Sequence, residues 1–240
     1  MISFGVPWDT WEPVYEAIVA DFEFDRGADE AARDELIELL AGRGLSPEHL
    51  PVSAGKTVAI AGAAPTISEE MEHLTEADLV FAASTASEVL IEAGIPVDIH
   101  VTDLDKDGRV VAKLAEDGVP IAVHAHGDNR DLLETAIPGI EARVFPTTQA
   151  RPKRGIYNPG GFTDGDRAAF LADALGAAEV TFAGWSFDDP QVTSEKRRKL
   201  AWAERLLLWL EQRRGDRFDV LDGRRDRIEL PGAFDTSRAN

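Results

Sequence analysis

Six short segments between Lys56 and Trp185 constrain this chain more than any other feature. KTVAIAG, DLVFAAS, PVDIHVTD, GVPIAVHAHGD, IEARVFPTT and AEVTFAGW are rich in Val, Ile, Phe and Ala over strand length, and helical stretches separate most of them. Strand and helix in alternation predict an α/β fold with a mostly parallel, doubly wound sheet. In such sheets ligands bind beyond the carboxyl ends of the strands, so the residues just past each run are where chemistry is expected.

Residues 1–55 read differently. Trp11, Val14, Tyr15, Ile18 and Phe22 recur at helical spacing, a second helix is expected through Glu30 to Ala41, and no strand pattern appears. The expectation is a helical N-terminal cap over 1–55, followed by an α/β domain over 56–240. A long last helix is predicted from Ser194 to about Arg214, with Gly215 at its end. The tail FDVLDGRRDRIEL is expected to form a short hairpin around Asp222-Gly223.

The formal net charge of −19 argues against a general nucleic-acid binder, which needs basic surface. Its 44 acids face 25 basic residues, most of them Arg, a balance that suits a salt-rich cytoplasm. There is no Cys, no apolar run of membrane-spanning length, and no basic leader in MISFGVPWDTWEPVYEAI. A cytoplasmic protein with no membrane partner is expected; a homo-oligomer is compatible with the sequence.

Acidic residues are so common here that only clusters carry information. In DIHVTDLDKDGRVVAKL, Asp103, Asp105, Asp107 and Gly108 imitate the start of an EF-hand loop, yet its twelfth position is Leu114 and a strand precedes it. What remains is a carboxylate cluster at a strand end. HAHGDNRD places His124 and His126 on one strand face before a Gly127 turn. Two histidines and Asp128 suggest zinc or iron, whereas two hydrogen-bonded histidines in a polar crevice explain them as well. Calcineurin-like phosphoesterases share Asp-x-His and Gly-Asp blocks but need later His ligands, and no His follows His126.

Three further stretches could meet a nucleotide. AIAGAAP turns at Gly62 after a strand, Ser84-Thr85 follows DLVFAA, and NPGGFTDGDRAAF combines Gly160-Gly161 with Thr163, Asp164, Asp166 and Arg167 at a helix start. A helix cap explains Thr163 and Asp166. The glycine pair and the forked Arg167 suit metal-phosphate.

Taken in order, VTDLD, HAHGDN, PTTQ and GGFTDGDRA resemble the archaeal 6-hydroxymethyl-7,8-dihydropterin diphosphokinase family, which is similar in fold to thiamin pyrophosphokinases. The resemblance runs from about Lys56 to Arg214, and KRRKLAWA is similar to the family's basic C-terminal helix. It implies transfer of diphosphate from ATP to the pterin hydroxymethyl group with Mg²⁺ and release of AMP. By the same resemblance Asp103 and Asp105 hold the metal, Asp128 and Asp164 serve as further ligands or as the base, and Arg167 neutralises phosphate. Gly62, Ser84, Thr85, Thr148, Gln149, Gly160, Gly161, Thr163, Lys196 and Lys199 are the expected nucleotide contacts. Two other readings stay open: a nucleotide-sugar glycosyltransferase using Asp103-Leu104-Asp105 as its DxD, and a non-catalytic nucleotide sensor.

The charge balance generates a first prediction. Self-repulsion weakens the fold in dilute buffer and salt screens it, so the melting temperature should rise between dilute buffer and molar KCl. An unchanged or lower value would contradict the salt-adapted reading.

Overall fold

The protein, described by a computed structural model over residues 4–106 and 108–234, is built on a six-stranded sheet. Its strands are β1 (Thr57–Ala61), β2 (Leu79–Ala83), β3 (Ile99–Thr102), β4 (Ile121–Ala125), β5 (Val144–Thr148) and β6 (Glu179–Ala183). They lie in the order β5-β4-β3-β2-β1-β6, and every neighbouring pair is parallel. Each expected strand is present. Asp107, part of the EF-hand comparison, lies outside the described residues.

Alternation along the strands divides the core in two. Val58, Ile60, Phe81, Ile99, Val101, Ala122 and Phe145 face one side with α1 (Trp8–Phe22), α7 (Asp164–Ala174) and α8 (Ser194–Arg214). Ala59, Ala61, Val80, Ala82, Ile121 and Val123 face the other with α2 (Arg26–Leu40), α3 (Met71–Glu76), α4 (Ala86–Ala93), α5 (Gly108–Glu116) and α6 (Arg130–Ile140). Both faces are covered, as an all-parallel sheet requires. The order reverses between β1 and β6, which makes the crevice beyond their carboxyl ends the topological switch point.

The N-terminal helices straddle this sheet. In α1, Trp11 stacks on Trp209 of α8 and meets Phe170 of α7 edge-on, while α2 buries Ala32, Leu36 and Leu40 on the opposite face. The second helix starts at Arg26, one turn earlier than expected, because Asp25 accepts from Gly27 N and caps it. The link between the two helices therefore crosses the carboxyl edge of the sheet. Among the described residues no helix is long and apolar enough to cross a membrane.

The last segment corrects the hairpin expectation. Asp219–Leu221 and Arg225–Arg227 form single 3₁₀ turns. The cause is Glu211 of α8, buried, which accepts from Phe218 N at 2.6 Å and from Arg225 Nε and Nη2 at 2.8 and 2.6 Å. With Phe218 and Leu221 both buried, side chains rather than a strand ladder hold this chain end.

A second prediction concerns acid. His100 is buried on β3, its Nδ1 2.7 Å from Ser87 Oγ, and burial pushes its pKa down to about 4. The unfolded chain takes up a proton near 6.5 that the folded chain refuses, so stability is full above that pH and declines as pH falls toward 4. Over that window, unfolding free energy should fall less steeply in His100→Asn than in wild type, by up to about 1.4 kcal/mol per pH unit. Parallel slopes in denaturant titrations would remove His100 from the account.

Candidate active site

A cavity of about 470 Å³ runs along the carboxyl ends of the strands. Asp103 follows β3, and the turn after it holds Leu104 at φ +70°, a left-handed conformation uncommon for leucine. Leu104 N donates to Thr102 Oγ1 at 2.9 Å and Asp105 N donates to Asp103 Oδ1 at 3.2 Å, so the two carboxylates stand side by side. Beyond β4, buried Asn129 donates through Nδ2 to Asp103 O and to His124 O, both at 2.7 Å, and ties the β3 and β4 ends together. From α7 come Asp164 and Arg167, joined by a 3.1 Å ion pair with both side chains largely buried.

The electrostatics of this cluster are uneven. Burial alone would raise the Asp103 pKa, but the His126 hydrogen bond and the Arg167 charge hold this carboxyl well below the usual range. Asp105 is raised by burial and by the Asp103 carboxylate. Asp164 is pushed up to about 7 by burial and by Asp103, with Arg167 opposing. Three carboxylates thus press on one another around one guanidinium, an arrangement that a hard cation would relieve. Among the described residues no group of three or more acidic or histidine side chains forms a ready-made metal cage. Magnesium asks for less, one or two carboxylates completed by water and substrate phosphate, and Asp103 with Asp105 fits that need.

The structure brings most of the expected residues together. Gly62, Ser84, Asp103, Asp105, Asp128, Gln149, Thr163, Asp164, Arg167, Lys196 and Lys199 all line the cavity. Gly62 does so without a free backbone donor, because its N–H meets Ala183 O at 2.8 Å. A Cβ there would lie 2.4 Å from Gly184 O, so this glycine serves the close approach of the β1 and β6 turns. Thr163 is held by Asp166, which accepts from Thr163 N and Phe162 N.

Four expected contacts lie elsewhere. Thr85 faces a smaller crevice with Glu88, His100 and Thr102. Thr148 is buried, and its Oγ1 accepts from Ala150 N at 3.1 Å. Gly160 and Gly161 have φ of +107° and +92°, and side chains there would strike Phe170 and the Arg167 backbone at 2.6 Å. That glycine pair fits the loop beneath α7, and the structure gives it packing to do, away from the cavity wall.

The two histidines divide their work. His124 is buried with Nδ1 3.0 Å from Thr147 Oγ1; since that hydroxyl donates to Val123 O, the imidazole N–H points to Thr147. His126 Nδ1 accepts from Asp128 N at 3.3 Å, which leaves Nε2 to face Asp103 Oδ2 at 3.5 Å. These are the roles of hydrogen-bonded histidines in a polar crevice.

Comparison with known proteins places the chain. The family described as 6-hydroxymethylpterin diphosphokinase MptE-like matches residues 42–191. This chain belongs to that family. The 6-hydroxymethyl-7,8-dihydropterin pyrophosphokinase of Methanothermobacter thermautotrophicus is 37% identical over 227 residues, covering 87% of this chain and 95% of the relative. The enzyme of the same name from Pyrococcus furiosus is 36% identical, covering 85% and 94%. That of Methanocaldococcus jannaschii is 29% identical, covering 85% and 95%.

Several walls of the MptE-like cavity were not expected from the sequence. Phe24 and Asp25 arrive from the link between α1 and α2, Ala28 and Asp29 from the first turn of α2, and Trp185 and Asp189 from the turn after β6. Trp185 stands at a strand's carboxyl end, and that position was a usable signal. The N-terminal residues carry no such mark. Their approach depends on Gly127, whose Cβ would fall 2.7 Å from Ala28 Cβ. Gly127→Ala should therefore lower stability by about 1–3 kcal/mol, and adding Ala28→Gly should recover part of it. Equal midpoints for wild type and Gly127→Ala in denaturant would show that this contact is loose.

Proposed function

We propose that this chain is a Mg²⁺-dependent enzyme that transfers diphosphate from ATP to 6-hydroxymethyl-7,8-dihydropterin and releases AMP. The observation that carries the reading is one cavity in a chain of this family with Asp103, Asp105, Asp164 and Arg167 grouped along its wall. The relatives' names supply the pterin and the diphosphate. ATP, magnesium and each residue's role are our reading of the site.

The pterin hydroxymethyl oxygen attacks the β-phosphorus of ATP, and the bond to the α-phosphate oxygen breaks, with AMP leaving. Such transfer depends on positioning and on charge neutralisation. Asp103 and Asp105 would hold Mg²⁺, which when bound neutralises phosphate charge as transfer proceeds. Arg167 offers a planar fork to the moving diphosphate, with Nη1 already fixed by Asp164. Lys196 and Lys199 on the first turns of α8 add positive charge at the rim. The hydroxyl proton passes to a carboxylate of the site, Asp128 or Asp164. Helices α1 and α2 would serve as the cap of this enzyme, and its acidic composition suits a salt-rich cytoplasm.

Incubation with ATP, Mg²⁺ and the pterin should yield AMP and the pterin diphosphate in equal amounts. Asp103→Asn should lower turnover on the order of 100-fold, with a melting temperature close to wild type. Formation of ADP in place of AMP, or full activity in Asp103→Asn at saturating Mg²⁺, would sink this reading.

A further inference from the structure

Asp29, in the first turn of α2, is a buried carboxylate that the reaction as described leaves unused. It is 3% exposed and accepts three hydrogen bonds: from Tyr15 Oη at 2.8 Å, Gln149 Nε2 at 2.7 Å and Gly127 N at 2.8 Å. An ionised carboxylate only accepts, whereas a glutamine amide both donates and accepts. Gln149 must therefore turn its NH₂ toward Asp29, and its Oε1 faces the other way. There Arg167 Nη2 lies 3.5 Å off, at the long end of hydrogen bonding. The main chain beneath the amide is fixed as well, because Trp11 Nε1 and Asn158 Nδ2 donate to the Gln149 backbone carbonyl at 3.1 and 3.0 Å. Through its other oxygen Asp29 fixes Gly127 N, in the turn that carries His126 and Asp128.

We propose that Asp29 is a positioning residue for the transfer: it sets which atom Gln149 presents to Arg167, and so aims the guanidinium, while anchoring the 126–128 turn beside Asp103. The proposal rests on the diphosphate-transfer reading. It assigns the N-terminal helices a part in phosphate handling without any atom of Asp29 touching the reacting groups.

Asp29→Asn keeps the shape and changes the logic. Its NH₂ meets either Gly127 N–H or the Gln149 NH₂, donor against donor, and a flip of Gln149 to relieve this turns an NH₂ onto Arg167. The expected result is a loss in kcat on the order of tenfold or more, with the pterin KM changed by no more than about threefold. Affinity for α,β-methylene-ATP with Mg²⁺, read by calorimetry, should fall as well. In an Arg167→Lys background, Asp29→Asn should cost at most about threefold further in both quantities, because the two changes act through one group. Full multiplicative losses, or wild-type kcat and affinity in folded Asp29→Asn, would overturn the proposal.

Two controls keep the test decisive. The pair Asp29→Asn with Gln149→Glu conserves net charge and restores a donor facing an acceptor, so it should fold and exceed either single variant in turnover. A pair no better than the singles overturns the proposal, even where Asp29→Asn alone fails to fold. The calorimetric arm needs no chemistry. Wild type that binds the analogue yet forms no AMP rejects the reaction, and the non-additivity in binding still decides the role of Asp29.

Discussion

The buried guanidinium of Arg167 holds together a site that would otherwise repel itself. Asp103, Asp105 and Asp164 crowd one sheet edge, and each raises the cost of ionising the next. Arg167 offsets that cost from within the protein, through its ion pair to Asp164 and its field at Asp103. Its own place depends on backbone that only glycine permits, since Gly161 lets the loop pass within contact of the Arg167 main chain. Packing beneath α7 and charge balance in the cavity are therefore one problem. A change that loosens the loop moves the charge as well.

That coupling explains what was legible in the sequence. The six strands were readable because parallel strands buried on both faces are nearly continuous apolar runs. VTDLD and GGFTDGDR were readable as clusters because each is local. The resemblance to the pterin diphosphokinase family, built on the order of such motifs, is borne out by the family match. Gly160 and Gly161 had the look of phosphate ligands and lie instead against Phe170 and Arg167, a distinction that depends on a helix whose docking no local pattern reveals. The tail failed for a similar reason. Asp222-Gly223 is a sound hairpin turn by itself, and Glu211, eleven residues before it, decides otherwise.

Asp29 was illegible in a deeper sense. An aspartate in the first turn of a helix has a sufficient local explanation in the helix dipole. Only tertiary structure shows that its oxygens are directed at Gln149 and Gly127, 120 and 98 residues away. The cavity wall at Phe24 and Asp25 follows from the same docking, because α1 and α2 lie on opposite faces of the sheet.

This straddling has a consequence for how the molecule comes into being. Helices α1 and α2 precede every strand in the chain yet are among the last elements that can settle, since Trp11 waits for Phe170 and Trp209, and Asp29 waits for Gly127 and Gln149. During synthesis the apolar sides of α1 and α2 have no native surface to cover them until most of the chain has emerged. Their docking both closes the core on the two faces of the sheet and supplies the cavity wall at Phe24, Asp25, Ala28 and Asp29. An early truncation product thus carries neither a finished fold nor a partial site.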